Sequence, residues 1–250
     1  MGLRYQGQLL LTAFLFYTRL PVAQWVEYSE DKVSQSLRYL PLVGLIVGGL
    51  GAIAFWLAHQ LWSQEIALVL SMATTILVTG AFHEDGLADA ADGFFGGWTA
   101  EQVLRIMKDS RVGTFGVLAL GLTVGLKFFT LASLSATQIP WVLIAGHSVS
   151  RLMAIIVMAQ YPYVRQDADS KVKLATKPVP VADLFISAVY ALIPLFFLPL
   201  LVWLALLPVG LLTYFCGRYF AKRLGGYTGD CLGATQQLTE VAFYLGVGLG

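Results

Sequence analysis

Apolar runs of about the length of a bilayer crossing alternate along this chain with shorter polar segments that hold nearly all of its charge. A crossing helix needs about 20 mostly apolar residues. Such runs lie near 39–61, 65–82, 112–134 and 140–160, with one across 183–218 that is long enough for two. Pro194 and Pro199 fall near the middle of that last run, where a tight turn would reverse the chain, although a proline kink inside a span is also tolerated. A final span is expected from about Gln236 onward. The apolar run Leu9 to Tyr17 is cut short by Arg19 and Pro21, so it reads as an interfacial or re-entrant helix. A signal peptide is the rival reading, but no small-residue cleavage pattern follows. The pattern predicts an all-α, polytopic membrane bundle of about six to seven spans, forming a single domain over residues 1–250.

Composition agrees: 57% of residues are hydrophobic and 12% charged, against roughly 25% charged in soluble domains. The turns Gln60 to Glu65 and Ala136 to Pro140 contain no Lys or Arg. Basic residues gather instead at Lys32 and Arg38; at Arg105, Lys108 and Arg111; at Arg165, Lys171, Lys173 and Lys177; and at Arg218, Lys222 and Arg223. Cationic loops stay in the cytoplasm, so all the substantial polar loops share that face. Gly44 and Gly48, and Gly121 and Gly125, have the small-xxx-small spacing that lets helix backbones approach. Cys216 and Cys231 lack metal or disulfide-framework spacing and read as packing residues.

The chemistry concentrates in Phe82-His83-Glu84-Asp85-Gly86-Leu87-Ala88-Asp89-Ala90-Ala91-Asp92-Gly93. On a helix, Asp85, Asp89 and Asp92 stand at i, i+4 and i+7 and share one stripe. Carboxylates that close repel one another, and their hard oxygens suit Mg²⁺ or Mn²⁺ better than zinc. Burying four acids at the bilayer centre would cost on the order of 10 kcal/mol, which puts them at the cytoplasmic mouth. A solvated Asp/Gly-rich loop is the plainer alternative. Next comes Arg105-Ile106-Met107-Lys108-Asp109-Ser110-Arg111-Val112-Gly113, whose cations suit an anionic phosphate and whose Asp109 would add a ligand or act as base. A solvated amphipathic helix explains those charges almost as well. Lys127 and Arg151 fall inside apparent spans, and His147 lies one turn from Arg151. Gly225 to Ala234 places Asp230 in a glycine-rich turn where backbone approaches a ligand closely. There is no Walker A or dinucleotide fingerprint, and no nucleic-acid partner is expected.

Taken together, Phe16-Tyr17-Thr18-Arg19-Leu20-Pro21-Val22, Pro41-Leu42-Val43-Gly44, His83 to Asp89, Asp92-Gly93, Ile106 to Thr114 and Gly226 to Ala234 resemble the cobalamin synthase family, adenosylcobinamide-GDP ribazoletransferase. The resemblance implies a phosphotransferase, multi-pass in the bacterial inner membrane, with a cytoplasmic active site and a Mg²⁺ requirement. A ribose hydroxyl of α-ribazole or its 5′-phosphate would attack the cobinamide-linked phosphoryl group of adenosylcobinamide-GDP. GMP would leave, giving adenosylcobalamin or its 5′-phosphate. On that reading Asp85, Asp89 and Asp92 hold one or two Mg²⁺, and Glu84 is a weaker ligand because Leu also serves there in the family pattern. Asp109 or Asp92 takes the hydroxyl proton. Lys108, Arg111 and Arg151 contact the diphosphate, Thr228 and Asp230 complete the site, and His83 orients a ligand. Gln166 to Pro180 matches only loosely, so Lys171, Lys173 and Lys177 receive no role. Phe94, Phe95 and Trp98 read as interfacial anchors before corrin contacts.

Two rivals stay in view. A CDP-alcohol phosphotransferase also sets an Asp-rich motif on a membrane helix, but this chain lacks the Ala-Arg and the second acidic half of that pattern. A divalent-cation transporter would place its acids near the midplane, often in repeat-related halves, and no repeat is evident. Oligomeric state is left open.

Overall fold

The computed structural model describes residues 2–165 and 178–249, so Lys171, Lys173 and Lys177 lie outside the described residues. Eleven α-helices follow one another among the described residues. They are α1 (Leu3–Tyr17), α2 (Glu30–Ser36), α3 (Leu40–His59), α4 (Gln64–Thr79), α5 (Phe82–Gly96), α6 (Ala100–Ile106), α7 (Thr114–Ala132), α8 (Ile139–Gln160), α9 (Val181–Leu192), α10 (Leu206–Leu224) and α11 (Gly229–Val247). Their boundaries have local causes. Ser29 caps α2 by accepting from Lys32 N at 3.2 Å, Thr99 and Gln102 form a reciprocal capping box at α6, and Thr228 caps α11. Pro41 and Pro140 sit in the first turns of α3 and α8, where a missing N–H costs nothing.

Helices α8 and α11 form the centre. Helix α11 packs on α5, α7, α8 and α10, while α3 lies along α8 and carries α1, α4 and α9 on its other sides. Close approach of α3 to α8 rests on two glycines: a Cβ on Gly48 would come within 2.8 Å of Ile144 Cα, and one on Gly44 would strike the His147 carbonyl. The spacing Gly44/Gly48 therefore reports a real helix contact. Gly121 and Gly125 do not; a Cβ at either meets nothing within 4 Å, because both lie on an outward face of α7.

By length and composition four helical runs qualify as spans: Glu30–His59, Thr114–Ala132, Ile139–Gln160 and Leu200–Leu224. A fifth arises if α4 and α5 count as one broken span. This is fewer than the six to seven read from hydropathy. The 183–218 run divides as expected near Pro194 and Pro199, through short 3₁₀ turns at Ile193–Phe197 and Leu200–Ala205, but its first half, Val181–Phe197, is a shorter apolar helix. The last helix begins at Gly229 and not near Gln236, and it carries Gln236, Gln237 and Glu240 inside the bundle. Helix α1 docks on the bundle through Leu9, Ala13 and Phe14, which pack with Tyr39, Val43 and Val47.

Charge is segregated along the bundle. The side chain of Gln64 donates to the carbonyls of Ala132 and Leu134, both at 3.0 Å, which draws the two turns without Lys or Arg together at one end. Among the described residues the basic segments are tied at the other end, with Arg38 on Asp183 at 2.9 Å, Arg165 on Asp230 at 2.7 Å and Arg223 on the Gly97 carbonyl at 2.7 Å.

Helices α4 and α5 meet at 86°. The bend is made by two consecutive left-handed residues, Gly80 (φ 66°) and Ala81 (φ 57°), with Arg19 N donating to the Val78 carbonyl at 2.7 Å beside them. Glycine takes that conformation freely, whereas alanine is strained there by about 1 kcal/mol. Replacing Ala81 with Gly should therefore raise the thermal midpoint in detergent, and Ala81→Val should lower it. A lowered midpoint for Ala81→Gly would show that the turn does not hold Ala81 in the left-handed region.

Candidate active site

The α4–α5 bend delivers α5 across the end of the bundle that carries the basic segments, with its acids spread over two faces. Asp85 and Asp89 are solvent-accessible, Asp89 half-buried, and among the described residues neither carboxylate has a hydrogen-bond partner. The opposite face, with Leu87, Ala90 and Phe94, packs with Phe220 and Ala234 into the apolar core beneath.

Helix α5 crosses α11 through glycine. A Cβ on Gly86 would lie 3.2 Å from the Cα atoms of both Asp230 and Gly233, and one on Gly233 would lie 3.0 Å from the His83 carbonyl. A side chain at either position would require the facing backbone to give by a few tenths of an ångström. The crossing brings Asp230, in the first turn of α11, into the electrostatic reach of Asp85 and Asp89. Asp230 in turn accepts from Arg165 at 2.7 Å. A short parallel bridge carries Arg165 there: Val164 N donates to the Tyr227 carbonyl at 3.0 Å and Tyr227 N to the Pro162 carbonyl at 2.9 Å. Thr228 is fully buried; its hydroxyl oxygen accepts from Cys231 N at 3.3 Å and lies 3.5 Å from Asp230 Oδ2. Cys216 and Cys231 are buried and unpaired, in keeping with packing roles.

Asp92 is turned to another task. Its Oδ2 accepts from Gly113 N at 2.6 Å and its Oδ1 from Gly116 N at 2.9 Å, so this carboxylate caps α7 from a different helix. Both orphan N–H groups are satisfied by an anion at the positive end of the helix dipole. The cap also pins the turn before α7, which holds Lys108, Asp109 and Arg111. There Arg111 grips Asp109 in a fork at 3.0, 3.2 and 2.6 Å. That bidentate hydrogen bonding, reinforced by the Arg111 backbone N–H, holds the Asp109 carboxyl down to about 2. The Arg111 side chain is 87% exposed, in the turn that Asp92 pins.

The remaining candidates point inward. Glu84 Oε1 accepts from Gln237 Nε2 at 3.0 Å, while its buried Oε2 has no hydrogen-bond partner. His83 is buried on the same side, in the field of Arg151 and Glu240. Arg151 is 1% exposed; its Nη1 lies 3.2 Å from His147 Nδ1 and donates to the His147 carbonyl at 2.7 Å. Phe94 is stacked on Phe220 inside the bundle, whereas Phe95 and Trp98 are exposed as anchors would be. Sequence reasoning passed over Arg165, Gln237 and Glu240. Glu240 had a signal, an acid inside an otherwise apolar C-terminal helix; the pairing of Arg165 with Asp230 depends on a bridge that no local pattern announces.

Among the described residues no three Asp, Glu, His or Cys side chains converge closely enough, as they stand, to hold a metal. The donor set nevertheless fits a hard divalent cation. Asp85, Asp89 and Asp230 are three carboxylates repelling one another across one helix crossing, with Arg165 as the balancing charge on Asp230.

Helical in all its named elements, apolar over four or five candidate spans, and gathering acids and bases at one end, this is a polytopic membrane protein. The chain belongs to the cobalamin-5-phosphate synthase family, whose model matches residues 9–248. It is 44% identical over 244 residues to the adenosylcobinamide-GDP ribazoletransferase of Shewanella frigidimarina (strain NCIMB 400), covering 96% of this chain and 94% of that protein. The protein of the same name from Shewanella sp. (strain W3-18-1) is 44% identical over 242 residues, covering 95% and 92%. That of Shewanella oneidensis is 44% identical over 241 residues, covering 94% and 92%. No solved structure matches.

Asp92→Ala should cost about 1–3 kcal/mol of stability by leaving two N–H groups at the α7 start without an acceptor. Asp92→Asn, which keeps one oxygen, should cost less. Equal midpoints for wild type and Asp92→Ala in thermal unfolding would remove the capping role.

Proposed function

We propose that this protein transfers the cobinamide phosphoryl group of adenosylcobinamide-GDP to α-ribazole or its 5′-phosphate, with release of GMP, in a Mg²⁺-dependent reaction at the α5–α11 crossing. The observation that carries the reading is the meeting of Asp85 and Asp89 with Asp230 and its partner Arg165, in a chain whose relatives are named for this transfer. The ribose hydroxyl attacks the phosphorus linked to cobinamide, a new P–O bond forms, and the diphosphate P–O bond breaks with its electrons leaving on GMP. Charge grows on the phosphoryl and departing oxygens, so fixed cations are worth most there.

Asp85, Asp89 and Asp230 would hold the Mg²⁺, with Asp92 acting through the turn it pins. When bound, the ion neutralises the diphosphate and the charge that develops as GMP departs. Arg111 and Lys108 at the rim bind the diphosphate and orient it. Arg111 serves by exchanging Asp109 for a phosphate oxygen, since its guanidinium is otherwise exposed. The hydroxyl proton goes to a carboxylate of the α5–α11 group. Arg151, buried against His147, acts from behind the site and not on the diphosphate. The segregated basic segments support an inner-membrane orientation with this end in the cytoplasm, where water-soluble substrates arrive.

Purified protein in lipid should convert adenosylcobinamide-GDP and α-ribazole 5′-phosphate to the cobamide phosphate and GMP only when Mg²⁺ is present. Asp89→Ala should lower that rate at least about 100-fold with an unchanged thermal midpoint. Turnover by Asp89→Ala at the wild-type rate, or transport of Mg²⁺ into sealed vesicles without cobamide formation, would overturn the reading. Arg111→Ala should raise KM for adenosylcobinamide-GDP about tenfold, the worth of one charge-assisted contact; an unchanged KM assigns Arg111 to the turn alone.

A further inference from the structure

Lys127 lies in the middle of α7 and is 6% exposed, far from the acids of α5 in sequence and unused by the reaction as described. Its Nζ is 2.9 Å from Glu240 Oε1 and donates to Gln237 Oε1 at 2.7 Å. Glu240, 2% exposed on α11, also accepts from Gln236 Nε2 at 2.6 Å and from the Tyr244 hydroxyl at 3.1 Å, with His147 Nδ1 at 3.5 Å. From Gln237 the chain of bonds turns toward the surface, because Gln237 Nε2 donates to Glu84 Oε1 at 3.0 Å. Glu84 immediately precedes Asp85.

Each link has one allowed direction. An ammonium only donates and a carboxylate only accepts, so Lys127 forces the Gln237 oxygen toward itself and thereby turns the Gln237 amide NH₂ toward Glu84. Buried ion pairs add little net stability over apolar packing, so the arrangement calls for a role in specifying geometry. The Gly86–Gly233 crossing needs such a device. Two glycines permit contact but offer no side chain to fix the height or rotation of one helix on the other. Gln237 is one turn beyond Gly233 and Glu84 two residues before Gly86, which sets the polar link beside the crossing where a slip would break it.

We infer that Lys127, Gln237 and Glu240 are positioning residues that lock the register of α5 on α11 and so fix where Asp85 and Asp89 stand relative to Asp230. This rests on the reading of the α5–α11 crossing as the site of phosphoryl transfer.

Three variants test it: Gln237→Met, which cuts the relay with volume kept; the pair Lys127→Met with Glu240→Gln, which removes the Lys127–Glu240 ion pair as a unit; and Lys127→Arg, which keeps the donor. In the first two, kcat and Mn²⁺ affinity measured by paramagnetic resonance should fall about 10–100-fold. KM for α-ribazole 5′-phosphate and the amount of inserted, cooperatively unfolding protein should stay near wild type. Lys127→Arg should retain kcat within a few-fold. Spin labels at Phe95→Cys and Leu245→Cys should report a broader distance distribution in Gln237→Met than in the parent, a readout independent of turnover. Wild-type kcat with an unbroadened distribution in Gln237→Met would overturn the inference, as would activity lost only in proportion to folded protein. Asp89→Ala run alongside separates the two failures. If it is inactive while Gln237→Met is unaffected, only the positioning role falls; if it is fully active, the site itself is elsewhere and both fall.

Discussion

Where α5 crosses α11, a Cβ on either glycine would crowd the other helix's backbone at 3.0–3.2 Å, and that closeness sets the terms for everything polar around it. The glycine contact brings carboxylates from two distant parts of the chain within reach of one another, which is unfavourable until something positive joins them. Arg165 supplies part of that charge from a third segment, delivered by the bridge between Tyr163 and Tyr227. The rest of the demand faces outward, toward solvent. Apolar packing of Leu87, Phe94 and Phe220 below the crossing gives the acids a firm floor.

The bundle handles its charges at two depths by different means. At the surface they are left accessible, with Asp109 and Arg111 paired in a fork that a competing anion can open. Inside, the buried charges are held in a connected set, because an isolated ion in that medium is far too costly. Lys127 meets Glu240 directly, and Arg151 sits against His147 within the field of the same carboxylate. The two depths touch at Glu84, whose one oxygen is bound from within while its neighbour Asp85 looks out.

Much of the helical frame is legible in the chain, since the apolar runs near 112–134 and 140–160 match α7 and α8 to within a few residues. Span count is less so, because length and hydropathy do not reveal that α5 turns 86° from α4 or that α11 buries glutamine and glutamate. The acid stripe was visible as a stripe. What periodicity could not supply was the use made of each member: Asp92 is the i+7 partner of Asp85 on any helical wheel, yet it is spent on the N–H groups of α7. Glu84 looks equivalent to its acidic neighbours in sequence but turns to the interior. Gly44 and Gly121 carry the same spacing signal, and only the first meets a helix, because what lies opposite a small residue is a property of the fold.

One feature of α7 reaches beyond the protein. Of the four candidate spans it is the least covered by its own bundle, with 22% of its apolar window buried, so its tilt is governed largely by lipid. Its N-terminal tip is the part that Asp92 clasps. A helix of 19 residues measures about 28 Å, close to the hydrocarbon thickness of a bilayer, and it adjusts to mismatch by leaning. The acyl-chain length of the host membrane thus becomes a mechanical input to the turn that holds Asp109 and Arg111.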